Sequence, residues 1–264
     1  MKKYFTVFKT SWANELEYRA AFLLARARNI IYLLLLYYVW LNLSQLTGRF
    51  AGYSTGELIT YVFGVHILRS LIFGAQSRLV AWEINDGTFS IFLVRPVNHF
   101  WFVFFRELAQ RAIYFASAIF ELAIFMFLTK ASLMTPPNLQ RFFVFFIACL
   151  GALFLYFILS YLVSLFAFWS REAMGPRFLF EWFMEFGSGA FFPLNILSGG
   201  LFFALQFLPF VYLIFFPMMI YLGRMNLSEA FVKIAFQLVW ICVAGAIAYL
   251  AWQKGLQRYS GEGI

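Results

Sequence analysis

"WEINDGTFSIFLVRPVNHF", residues 82–100, interrupts a chain that is otherwise made of long apolar runs. It carries two acids (Glu83, Asp86), an arginine (Arg95), Gly87, Pro96 and His99. Asn85-Asp86-Gly87 is a helix stop or turn signal. "TFSIFLV" after it has helical apolar spacing, and Pro96 prevents a helix from continuing far. The sequence therefore predicts a short helix over about Gly87–Val94, capped by Asp86 or Thr88. Phe89, Ile91, Phe92 and Leu93 give that helix an apolar surface. A polar, turn-rich connector of this kind belongs at a water boundary, so the runs on either side are read as crossing something other than water.

Composition says what they cross. The chain has 264 residues, 63% of them hydrophobic and 12% charged, with 38 phenylalanines. A soluble domain carries roughly 25% charged residues, and no soluble fold hides so much aromatic surface without large exposed patches. Lipid is the solvent for most of the chain. The net charge of +8 would point to nucleic acid in a soluble protein. Here the basic residues cluster between apolar runs, as they do when they set membrane orientation, and no nucleic-acid partner is expected. The first residues contain no cleavable signal peptide. Phe5, Phe8, Trp12 and Leu16 recur every three to four positions, so residues 1–28 are expected to hold an amphipathic helix lying in the membrane interface. Cys149 and Cys242 both lie in apolar runs and read as small packing residues.

A spanning helix needs about 20 mainly apolar residues. Six regions qualify: about Ile30–Leu46, Leu58–Val80, Phe100–Leu128, Phe142–Trp169, a fifth starting near Phe178, and about Ala230–Trp252. The fifth continues to Leu222, too long for one span, and is broken by "SGAFFPLNILSGG" (188–200), Pro209 and Pro217. Charge decides between six and seven spans. With six spans and the N-terminus inside, the inner segments hold Lys2, Lys3, Lys9, Arg19, Arg26, Arg28, Arg78, Arg95, Arg106, Arg111, Arg171, Arg177, Lys254 and Arg258. The outer segments hold only Arg49, Lys130, Arg141, Arg224 and Lys233. Seven spans would place Lys254 and Arg258 outside, against the positive-inside bias. Residues 188–227 are therefore expected to form a re-entrant helical hairpin near the outer face, between spans 5 and 6. The whole, residues 1–264, is expected to be one all-α transmembrane domain.

On that topology residues 82–99 are cytoplasmic. Glu83-x-x-Asp86-Gly87-Thr88 followed by "FLVRP" resembles the intracellular connection of ABC transporter permeases of the type-2 exporter class. "WQKGLQRYSGEGI" at the end is similar to the Gly-Leu-x-x-Tyr close of the daunorubicin-type and uncharacterised branch. "FLFEWFMEFGSGAFFPLNIL" and "LPFVYLIFFPMMIYLG" are similar to that branch's fifth region. The resemblance covers nearly the whole chain in the same order. It implies that Glu83, Asp86, Gly87, Thr88, Phe92, Arg95 and Pro96 form a coupling segment between helices 2 and 3. It also implies two copies of an ATP-binding cassette subunit as partners, with ATP and Mg held there and no cofactor in this chain. A second permease chain, identical or related, a bacterial inner-membrane location with both termini cytoplasmic, and an amphipathic exported substrate follow from the same resemblance. The plainer reading of the segment is an amphipathic connector resting on lipid.

Charged groups at membrane depth are costly and call for a partner or a purpose. Glu121 either lines a path or pairs with a basic group such as Arg69. Glu181 and Glu185, four residues apart, share a helix face near the inner end of the fifth span. They either face cytoplasmic water or Arg177, or form an acidic gate. Asn195 marks the break in the fifth region, where small residues also allow close packing. His66 and His99 lie on separate helices and make a poor metal site, and no metal ligand set is expected. The chain contains no G-x-x-x-x-G-K-[ST], no G-x-S-x-G and no H-E-x-x-H. No catalytic residues are assigned. An unpowered channel or binding module, and a membrane-embedded lipid enzyme, stand as alternatives to the permease.

Overall fold

Several of the helices start on a residue whose side chain satisfies their first amide groups. The computed structural model describes residues 2–17, 19–47 and 49–259. Helix α1 (Lys2–Glu17) carries Phe5, Phe8 and Trp12 stacked along one face. It is followed by α2 (Arg19–Thr47) and a two-residue β-hairpin, Arg49–Phe50 with Tyr53–Ser54. Helix α3 (Thr55–Ile72) opens on a capping box in which Ser54 and Glu57 serve each other's backbone amides. Two short helices follow, α4 (Arg78–Asn85) and α5 (Ser90–Val94). Asn98 caps α6 (His99–Thr129) by accepting from the Trp101 amide, 3.2 Å. Asn138 does the same for α7 (Leu139–Ser164) through Arg141, 2.8 Å. Helices α8 (Met174–Gly187), α9 (Gly199–Leu205), α10 (Phe215–Tyr221) and α11 (Leu227–Arg258) complete the order.

The result is an all-α membrane protein, but the spans differ from the sequence expectation. Among the described residues four helices are long and apolar enough to cross a bilayer: α2, α6, α7 and α11. Helices α9 and 209–221 would make a fifth if taken as one bent unit, with a 77° bend. Helix α3 has 18 residues and stops at Ile72, not Val80. The reason is a close approach: a Cβ on Gly74 would collide with the Glu107 side chain. The Gly74 carbonyl accepts from the Tyr156 hydroxyl, 3.1 Å, instead of continuing a helix. Helix α8 has 14 residues and begins at Met174, ahead of the expected Phe178. It is too short to span alone.

After α8 the backbone is irregular, and side chains of other helices satisfy it. Tyr61 donates to the Gly189 carbonyl at 2.6 Å, Tyr32 to Ala190 at 3.0 Å, and Trp40 to Phe191 at 3.2 Å. Phe215 N–H donates to Ser188 O at 2.8 Å. Non-helical backbone at membrane depth is tolerated when protein covers it in this way. Gly189, at φ +82°, takes a conformation that side chains rarely adopt.

Buried side chains form two groups. One joins α2, α3, α7 and α8 to the irregular stretch. The other joins α4, α5, the start of α6, the end of α7 and the second half of α11. Cys149 is buried as expected of a packing residue, whereas Cys242 is exposed on α11.

Candidate coupling segment and membrane path

The stretch 82–100 is a surface device fastened at several points. Asp86 Oδ1 accepts from the Thr88 amide (2.9 Å) and hydroxyl (2.6 Å), forming a local turn. Gly87 sits at φ +79°, which favours glycine. The helix therefore starts at Ser90, three residues later than expected, and no side chain caps it. Asp86 and Thr88 build the turn before it instead.

The apolar surface also differs from the expected set. Phe89 is fully buried, with the ring centroids of His99, Phe168, Trp252 and Tyr259 5.1–5.6 Å from its own. Phe92 is half-buried against Phe102, 4.9 Å. The large apolar groups left outward are Trp82, Ile91, Leu93 and Val94. Arg95 is exposed, its guanidinium 5.8 Å from the Phe92 ring. Phe89, just ahead of α5, points inward because the start of α6 and the ends of α7 and α11 converge around it.

Four tethers hold the segment. Lys3 Nζ donates to the Pro96 carbonyl, 2.8 Å, from α1. Asn85 Nδ2 donates to Arg171 O, 2.8 Å, in the α7–α8 connection. Tyr259 Oη donates to Gly87 O, 3.0 Å, and lies 2.9 Å from Ser90 Oγ. Arg106 Nη1 lies 2.5 Å from Glu83 Oε1, linking α4 to α6. Burial alone would raise the Glu83 carboxyl. His99, 3.9 Å away and too far for a hydrogen bond, and the Arg106 guanidinium outweigh that and hold it below the usual carboxylate range. The terminal Gly-Leu-x-x-Tyr pattern thereby acquires a physical role: Gly255 packs under the Phe168 ring and Tyr259 reaches Gly87. Ser260–Ile264 lie outside the described residues.

The intramembrane charges pair, though not as expected. Glu121 does not meet Arg69. Its oxygens accept from Arg26 at 2.5 and 2.6 Å and lie 3.1 Å from His66 Nε2. Arg69 pairs with Glu185 and places its guanidinium 4.3 Å from the Tyr32 ring. Both arrangements arise because α3 presents His66 and Arg69 one helical turn apart, each to a different acid. Glu181 accepts from Arg78, 2.6 Å, and Arg177, 3.2 Å. Asn195 is remote from these groups, its Oδ1 accepting from Tyr53 Oη at 2.7 Å beside the hairpin. Of the expected path residues, Glu181 and Glu185 lie together, and Glu121 and Asn195 lie apart.

Two groups escaped the sequence reading. Arg177, expected as an inner-side charge and as a possible neighbour of Glu181 and Glu185 but not as a buried anchor, is buried and donates to Ser164 Oγ (2.6 Å) and Ser160 Oγ (3.0 Å), with Ser77 Oγ at 3.4 Å. It bolts the start of α8 to α4 and α7. Glu107 and Arg111 form a fully buried pair at 2.5 Å, with Arg111 also donating to Leu153 O. The i,i+4 spacing of Glu107 and Arg111 was the one available signal. Among the described residues no three His, Cys, Asp or Glu side chains group as a metal site.

The family model for ABC-2 family transporter proteins matches residues 28–263. The chain belongs to the ABC-2 transporter family. An ABC-2 chain with several apolar helices is a multi-pass membrane protein and the permease component of an ABC transporter, a transport subunit that works with an ATP-binding cassette subunit. No curated protein and no solved structure matches the chain.

Proposed function

We propose that this ABC-2 permease is half of the membrane part of an ATP-driven exporter. In this reading the chain crosses a bacterial inner membrane six times with both termini in the cytoplasm. The spans are α2, α3, α6, α7, α8 extended by the re-entrant stretch 188–227, and α11. Helix α1 lies in the inner interface. Two copies of the permease, or one with a related chain, enclose the path, and each engages one ATP-binding subunit, which holds ATP and Mg. The cargo is an amphipathic molecule, a reading supported by the resemblance of the C-terminal Gly-Leu-x-x-Tyr pattern to that of the daunorubicin-type branch.

The observation that carries this reading is the α4–α5 segment. It offers Trp82, Ile91, Leu93 and Val94 outward while Phe89 and four tethers fix its inner side to α1, α6 and α11. A connector that merely rested on lipid would need no such fastening. An ATP-binding subunit pressing on α5 would move α6 and α11 together, because the Phe89 ring sits between His99 of α6 and Trp252 of α11. Glu83, Asp86, Gly87, Thr88, Phe92, Arg95 and Pro96 shape or hold this lever, and Glu181, Glu185, Asn195 and Glu121 are proposed along the path. The 14-to-5 distribution of basic residues supports the orientation. Co-purification of the full chain with its ATP-binding partner tests the lever. Leu93→Glu with Val94→Glu is expected to abolish association while the chain still folds, since both side chains are exposed. Unchanged association would remove α5 from the interface.

A further inference from the structure

We propose that the cavity between α2, α3 and α8 is a binding site for an anionic headgroup, with an apolar tail lying in the adjoining aromatic groove. This assignment deepens the permease reading and rests on it. The cavity has a volume of about 170 Å³ and is lined by Arg28, Arg69 and Arg78 against two acids, Glu181 and Glu185. Both acids are already engaged, Glu185 by Arg69 and Glu181 by Arg78 and Arg177. Arg28 has no ion-pair or hydrogen-bond partner among the described residues, and its side chain is exposed. The local balance is therefore positive even though every acid is present. Ser70 adds a second, independent sign. It is buried, lines the cavity, and its hydroxyl has no hydrogen-bond partner. A buried hydroxyl without a partner is costly. A phosphate or carboxylate oxygen entering the cavity would accept from the Arg28 guanidinium, and would reach the Ser70 hydroxyl, which is closed off in this state, once the lining side chains shift.

The shape says that the anion has a tail. A second cavity of about 380 Å³ shares Arg69, Glu181 and Glu185 with the first and is walled by Tyr32, Phe178, Trp182 and Phe191. Phe178 and Trp182 are exposed one turn apart on α8 and meet edge to face, ring centroids 6.1 Å apart. Cations at one end and aromatic rings at the other match an amphiphile whose charge is negative, not the cation an acidic gate would take. The headgroup chemistry is shared by a transported conjugate and by a resident anionic phospholipid.

The test is native mass spectrometry of the purified full chain titrated with short-chain phosphatidylglycerol, phosphatidylcholine or inorganic phosphate. The expected result is preferential retention of phosphatidylglycerol over phosphatidylcholine. Arg28→Ala is expected to lower that retention about fivefold, the worth of one basic residue beside an anionic headgroup. Trp182→Ala is expected to weaken the lipid without altering competition by phosphate. Equal retention of the two lipids, an Arg28→Ala chain that keeps full preference, or inorganic phosphate bound as tightly as the lipid would each overturn the assignment. With the ATP-binding partner present, phosphatidylglycerol that raises ATP hydrolysis marks cargo, and binding without that rise marks a resident lipid; both uphold the anionic site. Association of the Arg28→Ala chain with the partner reports separately on the permease reading. An unaltered chain that associates with its partner but shows no preference for phosphatidylglycerol removes this inference alone, whereas association that survives the α5 substitutions removes the coupling interface beneath it.

Discussion

Replacing Tyr259 by phenylalanine isolates one tether of the coupling segment. The substitution keeps the ring, whose centroid lies 5.1 Å from Phe89 and 6.0 Å from Phe168. It removes only the hydroxyl that donates to Gly87 O and meets Ser90 Oγ. A net intramolecular hydrogen bond contributes about 1 kcal/mol, so losing two costs about 2 kcal/mol. That corresponds to about a 30-fold rise in the population of the opened segment. The reporter amides are Phe89, Ser90, Ile91 and Phe92, which donate to Glu83, Gly87, Thr88 and Phe89 carbonyls. Hydrogen–deuterium exchange of the purified chain should show these amides exchanging about 30-fold faster in the variant. Amides in the middle of α7, which Tyr259 does not touch, should be unchanged. Equal exchange in both proteins would mean that Tyr259 does not hold the segment. A uniform acceleration across α6 and α7 would mean that its loss loosens the whole fold, and either result refutes the tether.

Three further predictions concern the charges. Glu121→Leu strands Arg26, which is buried, and should destabilise the purified protein by about 3–5 kcal/mol in a detergent melt; Arg26→Met with Glu121→Leu should recover most of that loss. Arg177→Met should cost about 3 kcal/mol, because the serine cage loses its donor, and should expose 165–173 to limited proteolysis. The Glu83 carboxyl is held below its ordinary value of 4.5, so folding favours its charged form; that contribution is complete above 4.5 and fades as pH falls through the lower folded value. Melting curves of Glu83→Gln should consequently lack part of the wild-type loss of stability below pH 4.5, and identical acid limbs would remove this role.

Much of the architecture is visible in composition and period. Long apolar runs require helices in lipid, and the small-residue and proline cluster at 188–200 announces a break that no helix tolerates. What stayed hidden depends on partners far away in sequence. Helix α3 ends at Ile72 because Gly74 must pass close to Glu107 on α6, and nothing in the apolar run from Leu58 to Val80 records that neighbour. Arg69 and Glu121 were a plausible pair by sign alone, but helix rotation delivers Arg26 and His66 to Glu121 and Glu185 to Arg69. Phe89 belonged by its spacing to the outward face of a short helix, and only the convergence of α6, α7 and α11 turns it inward. The Tyr61, Tyr32 and Trp40 donors that make the irregular stretch possible lie 128 to 158 residues from the carbonyls they satisfy.

The central claim is that α5 is gripped from the cytoplasm by an ATP-binding subunit. Cysteine cross-linking measures it directly: Val94→Cys, in a chain whose exposed Cys242 is replaced by serine, co-expressed with the ATP-binding partner in intact cells. The account predicts a disulfide or bifunctional cross-link between position 94 and the partner, and no labelling of that cysteine by a membrane-impermeant reagent added outside. A cysteine labelled from outside, with no cross-link to the partner, would contradict it.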